Sequence, residues 1–174
     1  MKSIFESAKQ LTPELISIRR TLHQYPEIGS ILPRTQSFVF SKLEEYGYCP
    51  QKICESAVIA TISGKQPGKT ILLRADMDAL PIKEAAPVPF ASENGYMHAC
   101  GHDMHTTMLL GAAKLLKQYQ QDLVGTVKLI FQPDEEGFTG AKALLKAGVL
   151  ENPHVDAGIA FHVVSGIPSG TVMC

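Results

Sequence analysis

The sequence predicts an α/β fold in which helices flank a mixed, partly parallel β-sheet. Helical patterns alternate along the chain with short segments rich in Val, Ile and Leu, and glycine or proline separates many of them. Such alternation is typical of sheets that contain parallel strands. The chain has 174 residues, the usual size of one domain, and shows no internal repeat or linker that would divide it.

Two helices are expected before the first strand. The first is capped by Thr12, carries Pro13 in its first turn and ends before Pro26. The second begins near Pro33 and ends at Gly47, since glycine commonly terminates helices. The apolar residues spaced to form one face of each helix are Leu15, Ile18, Leu22, Phe38, Leu43 and Tyr46.

Two strands follow at residues 57–62 and 70–74, joined by a turn at 64–68 that holds two glycines and a proline. Residues 81–99 show no regular pattern. We therefore expect a long irregular connection between the second strand and the next helix.

The second half of the chain predicts a helix, a strand, a helix and a strand. Apolar residues cover most of the circumference of a helix at 103–119, so we expect this helix to be buried. A strand at 126–132 and a helix at 141–146 follow it. Residues 155–164 then predict another buried strand.

The composition favours a small, near-neutral ligand. Sixteen Lys and Arg residues stand against 17 Asp and Glu, and no basic cluster typical of nucleic-acid binding is present. No segment reaches the about 18 apolar residues of a membrane span, and the N-terminus lacks the apolar core of a signal peptide. We expect a cytoplasmic protein that binds neither nucleic acid nor membranes and keeps its cysteines reduced.

Residues 97–105 contain three imidazoles, a thiol and a carboxylate. Cys100 and His102 are separated by Gly101, which permits a tight turn, so both side chains can point at one metal ion. For His98 and His105 a structural role is at least as plausible, and His105 could be a neutral imidazole that orients a ligand. The alternative for the whole cluster is a polar loop whose histidines cap the following helix.

Acidic residues follow two of the predicted strands. Asp134, Glu135 and Glu136 are consecutive after one strand, and Asp76 and Asp78 follow another. Adjacent carboxylates repel each other unless cations neutralise them, so one can bind a metal while its neighbour acts as a general base. The alternative is a solvated acidic turn.

His162 ends a third apolar segment. A single histidine on a strand is more often a core residue than a ligand, but three such strand ends indicate one shared edge of the sheet. Motifs for phosphate binding, dinucleotide binding and serine hydrolases are absent from the sequence, which favours metal-assisted hydrolysis. The residues outside this pattern, interpreted as structural or surface residues, are Cys49, Cys54, His154 and Cys174. His23 lies at the end of a helix, where its charge suits the helix dipole, and it needs no assigned function.

Three segments resemble signatures of metallopeptidase family 20: LLRADMDALP at 72–81, MHACGHDMHT at 97–106 and DEEG at 134–137. Residues 19–29, RRTLHQYPEIG, also resemble the N-terminal pattern of its amidohydrolase branch. That branch includes aminoacylases, hippurate hydrolases, N-acetyldiaminopimelate deacetylases and indoleacetyl-amino-acid hydrolases. The likeness covers nearly the whole chain, and its central motif is highly specific.

The resemblance implies a centre of two divalent metal ions, zinc, cobalt or manganese, with Cys100, His102, Glu136 and His162 as ligands. It implies that Glu135 is the general base for a metal-activated water that cleaves the amide bond of an N-acyl amino acid. From their positions alone, Asp76 and Asp78 are expected to orient the ligands by hydrogen bonds.

Family members carry a further histidine ligand, and a lid and dimerisation domain that can form a homodimer, in segments outside this sequence. We therefore expect residues 1–174 to be the N-terminal portion of a catalytic domain. The alternatives are a truncated, non-catalytic fragment and a dipeptidase or carboxypeptidase-like member of the same family.

Overall fold

A five-stranded sheet with the order β1-β2-β4-β3-β5 is the centre of the computed structural model, which describes residues 3–173. A single 3₁₀ turn, Gln120–Asp122, precedes β4. The elements in chain order are α1 (Ile4–Gln10), α2 (Thr12–Gln24), α3 (Pro33–Glu45), β1 (Gln51–Ile53), β2 (Ala57–Ser63), β3 (Gln66–Asp76), α4 (His102–Gln118), β4 (Val124–Gln132), α5 (Gly140–Lys146) and β5 (Ala157–Ala160).

The sheet is mixed, as the sequence predicts. β3 is parallel to both β4 and β5, whereas β2 is antiparallel to β4 and to β1. β2 and β3 are consecutive in sequence but not adjacent in the sheet, because β4 lies between them and pairs its Phe131 with both Val58 and Ala75. The carboxyl ends of β3, β4 and β5 therefore lie at one edge of the sheet.

The core lies on both faces of β4, whose side chains alternate between them. Val127, Leu129 and Phe131 belong to the larger cluster, which also contains residues of α2, α3 and α4. Ile130 faces the opposite side and packs in a smaller cluster with Leu144 of α5. Burial of these two faces positions the helices around the sheet.

Helix α4 is buried on one side only, which corrects the expectation of a fully buried helix. Leu110 and Ala113 face the core and have no exposed surface, whereas Met104 and Met108 are 41% and 43% exposed. No helix within residues 3–173 has both the length and the hydropathy needed to cross a bilayer.

The start of the chain differs from the prediction in two ways. α1 adds a third helix before the first strand, and the Ser3 side chain caps it by accepting a hydrogen bond from the backbone N–H of Glu6. Leu11 occupies the N-cap of α2, so the prediction that Thr12 caps this helix is wrong. The three-residue strand β1 is also new, because it is too short to show a period-two pattern.

The prediction of a buried strand at 155–164 is wrong in length and in burial. β5 contains four residues, and all of them are exposed. Only β3 borders this strand, so β5 is an edge strand within the described part of the chain. The other edge of β5 has no neighbouring strand among the described residues. The sequence pattern could not indicate this, because alternation does not report how many neighbours a strand has.

Candidate metal centre

Side chains from three strand ends and one helix start converge at the carboxyl edge of the sheet. The strands β3, β4 and β5 each lead into this edge, and the N-terminus of α4 faces it. The sequence-predicted site residues that the structure brings together there are Asp76, Asp78, Cys100, His102, His105, Glu135, Glu136 and His162.

Gly101 shapes the start of α4. It is the N-cap residue and adopts a left-handed conformation with φ of 91°, which glycine tolerates better than other residues. A Cβ atom at this position would overlap Cγ2 of Val163. The absence of a side chain therefore lets the segment that carries His162 approach Cys100 and His102.

His102 is the central residue of the site. Its side chain is buried, with Nδ1 lying 3.3 Å from Oδ1 of Asp78 and 3.8 Å from Oδ1 of Asp76. Its Nε2 lies 3.8 Å from carboxylate oxygens of both Glu135 and Glu136. The imidazole thus lies between two pairs of carboxylates.

Asp78 also holds the acidic turn after β4 in place. Its Oδ2 accepts a hydrogen bond from the backbone N–H of Glu136 at 3.0 Å. Within the turn, the Thr139 hydroxyl donates to the side chain of Asp134. These contacts fix the backbone from which Glu135 and Glu136 extend.

Cys100 and His162 form the more exposed side of the site. Sγ of Cys100 lies 3.3 Å from Nε2 of His162, while Nδ1 of His162 donates to the backbone carbonyl of Val163 at 2.6 Å. Because Nδ1 carries the proton, Nε2 of the neutral ring has a free lone pair that faces the thiol. That lone pair is available to a metal ion.

Residues 3–173 contain three overlapping groups of possible metal ligands. In each group the ligand atoms lie within 4.8 Å of one another, and His102 belongs to all of them. The groups are Cys100–His102–His162, Asp76–His102–His105 and His102–Glu135–Glu136.

Unsatisfied buried atoms show that these residues fit a bound cation. Nε2 of His102 and Oε1 of Glu136 are buried and have no hydrogen-bond partner. Burying such atoms without partners costs about 1–3 kcal/mol each. A divalent ion beside Nε2 of His102 would provide the missing interaction, and thiolate, imidazole and carboxylate are suitable ligands for zinc, cobalt or manganese.

The pKa shifts of Cys100 and His102 also favour a bound cation. Burial and the carboxylates of Glu136 and Glu135 raise the pKa of the Cys100 thiol to about 11. Burial lowers the pKa of His102, but Asp78 and Asp76 outweigh it, so that its pKa is raised. The surplus of carboxylates therefore favours positive charge at this edge of the sheet.

A buried network beside the site was missed in the sequence. His23, to which the sequence assigned no function, lies 2.7 Å from Asp103 and 2.9 Å from Glu84 through its two ring nitrogens. Arg19 forms an ion pair with Asp103 at 2.8 Å, and Phe90 lies against the Arg19 and His23 side chains. The four-residue spacing of Arg19 and His23 on α2 was the available signal.

The remaining candidates belong to none of the three ligand groups. His98 is buried close to Asp103, and neither of its ring nitrogens forms a hydrogen bond. Cys49 and Cys54 are exposed free thiols, and His154 is exposed beside Glu151. Cys174 lies outside the described residues.

Two curated relatives are similar to nearly the whole chain. The N-acetyl-L-cysteine deacetylase of Bacillus subtilis is 46% identical over 164 residues, which cover 93% of this chain and 39% of the relative. The N-acyl-L-amino acid amidohydrolase of Geobacillus stearothermophilus is 41% identical over 174 residues, which cover 96% of this chain and 46% of the relative. The chain thus spans less than half the length of either relative.

A solved structure shares the fold. The YXEP protein of Bacillus subtilis, described as a dinuclear metal-binding peptidase from the M20 family, has a TM-score of 0.87 and 42% sequence identity. The match covers 92% of this chain and 45% of that protein. The profile of peptidase family M20/M25/M40 also matches residues 72–174. The chain therefore belongs to peptidase family M20/M25/M40.

Proposed function

We propose that this chain is the N-terminal portion of the catalytic domain of a metal-dependent amidohydrolase that cleaves N-acyl amino acids. The observation that carries the proposal is the position of His102, whose unsatisfied Nε2 lies 3.8 Å from the carboxylates of Glu135 and Glu136 and whose side chain also forms a possible ligand group with Cys100 and His162. The relatives named for N-acetyl-L-cysteine and N-acyl-L-amino acids support this substrate class.

Two groups of possible ligands that share His102 support a centre for two divalent ions. Cys100 and His162 form one group with His102, and Glu135 and Glu136 form the other, so that Cys100, His102, Glu136 and His162 would be the ligands. The dinuclear description of the solved relative is consistent with this number. Bound zinc, cobalt or manganese would polarise the substrate carbonyl and lower the pKa of the attacking water.

Glu135 is the proposed general base. Its side chain is 37% exposed and reaches to 3.8 Å from Nε2 of His102, so it can contact both solvent and substrate beside the metal ligands. It would take a proton from water as the water oxygen attacks the amide carbon. When the C–N bond breaks, Glu135 would return that proton to the amine of the leaving amino acid.

The rest of the site is proposed to come from protein outside this chain. Since the chain spans less than half of its relatives, we propose that a further histidine ligand and a lid and dimerisation domain lie in the remaining part. A homodimer would form through that domain. A reducing compartment such as the cytoplasm would keep Cys100 available as a thiolate ligand.

Metal content per chain tests the proposal first. The purified chain would be reloaded with zinc, cobalt or manganese, and bound metal counted by elemental analysis. We expect about two equivalents that are lost in the Cys100→Ser, His102→Ala double variant. The matched control is the double variant Cys49→Ser, His154→Ala, which changes the same residue types at exposed positions and should retain the metal.

Turnover tests the base. In metal-loaded protein that includes the proposed remaining part, Glu135→Gln should abolish hydrolysis of N-acetyl and N-benzoyl amino acids while metal content stays unchanged, and Glu44→Gln, at an exposed position of α3, serves as the control. Preferred hydrolysis of dipeptides would instead indicate a dipeptidase or carboxypeptidase. Wild-type metal content in the Cys100→Ser, His102→Ala double variant would contradict the proposed ligands.

A further inference from the structure

His105 connects the sheet to the segment that carries His162. Its imidazole lies on α4 three residues after His102 and is 2% exposed. Nδ1 lies 2.6 Å from Oδ1 of Asp76, and Nε2 lies 2.9 Å from the backbone nitrogen of Val163. A buried side chain thus contacts the residue that follows His162.

These partners determine which nitrogen of His105 carries the proton. A backbone N–H can only donate, so Nε2 of His105 accepts the hydrogen bond from Val163 and carries no proton. In the neutral ring the proton is therefore on Nδ1, which donates to Asp76. Because both nitrogens are used, His105 is not free to bind a metal ion, although it belongs to one of the three ligand groups.

The contact continues into the sheet. Oδ2 of Asp76 accepts a hydrogen bond from Nη1 of Arg74 at 2.7 Å, and Nε of Arg74 donates to Oε1 of Gln132 at 2.9 Å. Gln132 ends β4 and Asp76 ends β3, so the chain of hydrogen bonds crosses two adjacent strands. His105 is thereby anchored to a rigid part of the fold.

The segment after β5 has few other restraints. Among the described strands β5 pairs only with β3, all four of its residues are exposed, and the described residues that follow it are mostly exposed. Val163 is partly buried where it contacts His105 and lies close to Gly101. The position of His162 therefore depends on how the backbone at Val163 is held.

We infer that His105 is a positioning residue whose Nε2 holds the Val163 backbone and so places Nε2 of His162 opposite the Cys100 thiol for metal binding. The metal-binding consequence rests on the proposed function, whereas the hydrogen bond to Val163 does not. The two can therefore be tested separately.

The hydrogen bond is tested by NMR on the metal-free chain. Imidazole ¹⁵N shifts of His105 should show a proton on Nδ1, and the Val163 amide should be protected from hydrogen exchange. Exchange of that amide should be at least about tenfold faster in His105→Asn, whose amide reaches only the position of Nδ1. His105→Gln, whose side chain reaches the position of Nε2, should retain protection. The opposite tautomer in the wild type, or unchanged exchange in His105→Asn, would overturn the inference.

The consequence is tested by cobalt titration. Absorption of the cobalt–thiolate charge-transfer band reports binding at Cys100, and competition with a chelator gives the affinity. His105→Asn should bind cobalt about 10- to 100-fold more weakly, and His105→Gln should stay within about threefold of the wild type. Equal affinities in the wild type and both variants would overturn the positioning role. Absence of cobalt binding by the wild type would overturn the proposed metal site, and the NMR result would still decide the contact with Val163.

Discussion

The carboxylate of Asp78 lies 3.3 Å from Nδ1 of His102, and its other oxygen accepts a hydrogen bond from the Glu136 backbone. One buried carboxylate therefore contacts two of the proposed metal ligands. Carboxylate partners of this kind orient a ligating imidazole and increase its basicity. Asp78 thereby connects the segment after β3 to the start of α4 and to the turn after β4.

We predict that Asp78→Asn weakens cobalt affinity by about 10- to 100-fold, because the amide neither attracts the imidazole proton as strongly nor carries a negative charge. Competition with a chelator measures the change. Asp122→Asn, at an exposed position outside the site, is the matched control and should bind like the wild type. Unchanged affinity in Asp78→Asn would show that this carboxylate does not orient the ligands.

Gly101→Ala should lower both stability and metal affinity. Alanine is strained at a φ of 91°, and its Cβ would overlap Val163. The control is Gly95→Ala, because Gly95 has a similar φ of 88° but a Cβ added there would meet no heavy atom within 4 Å. Both variants should lose about 1 kcal/mol of unfolding free energy through backbone strain, with a further loss of about 1–3 kcal/mol at Gly101 through overlap.

The overlap has its own test. Adding Val163→Ala to Gly101→Ala removes the Cγ2 atom and should restore part of the unfolding free energy and of the cobalt affinity. If the two glycine variants lose equal stability and equal affinity, close approach of Val163 is not the reason for glycine at residue 101.

His23 should make stability depend on pH. The hydrogen bond to Asp103 is the largest cause of the raised pKa of His23. Burial lowers this pKa, and the hydrogen bond to Glu84 raises it further. Arg19 and His98 are the nearby basic groups. Because the folded pKa lies above the unfolded value of about 6.5, the stabilisation is complete below about pH 6.5 and is lost as pH rises through the folded pKa.

The measurement is chemical denaturation of the wild type and His23→Gln across this range. The variant should lose about 2–3 kcal/mol of unfolding free energy below pH 6.5, the value of a hydrogen bond to a charged partner, and the difference should shrink at alkaline pH. His154→Gln, at an exposed histidine, should show no such difference. A difference that grows with pH would contradict the charged state of His23.

Lys128 should be needed for the connection between α5 and β5. Its buried Nζ donates to the carbonyls of Val149, Glu151 and Pro153 at 2.8, 2.8 and 3.0 Å. Lys128→Met keeps the length of the side chain but leaves these carbonyls without their donor, so unfolding free energy should fall by about 3 kcal/mol. Denaturant unfolding measures the loss, and Lys142→Met, at an exposed position of α5, should remain within about 0.5 kcal/mol of the wild type.

The edge of the sheet and the residue types at the site could be read from the sequence. Apolar segments are followed by Asp76 and Asp78, by Glu135 and Glu136, and by His162, and the alternation of helices and strands indicates parallel strands whose carboxyl ends share one edge. The spacing of Cys100 and His102 around a glycine indicates a tight turn for the same local reason.

The contacts that organise the site depended on the tertiary structure. The hydrogen bond between Glu136 and Asp78 joins residues 58 positions apart in the sequence, and the one between His23 and Asp103 joins residues 80 positions apart. Periods of 2 or 3.6 residues carry no information on such long-range contacts. They arise because β4 inserts between β2 and β3 and because the irregular segment at 81–99 folds back onto α2. The sequence by itself determined which side chains are present at the edge of the sheet, whereas packing of distant segments decided which nitrogen, oxygen and sulfur atoms face one another.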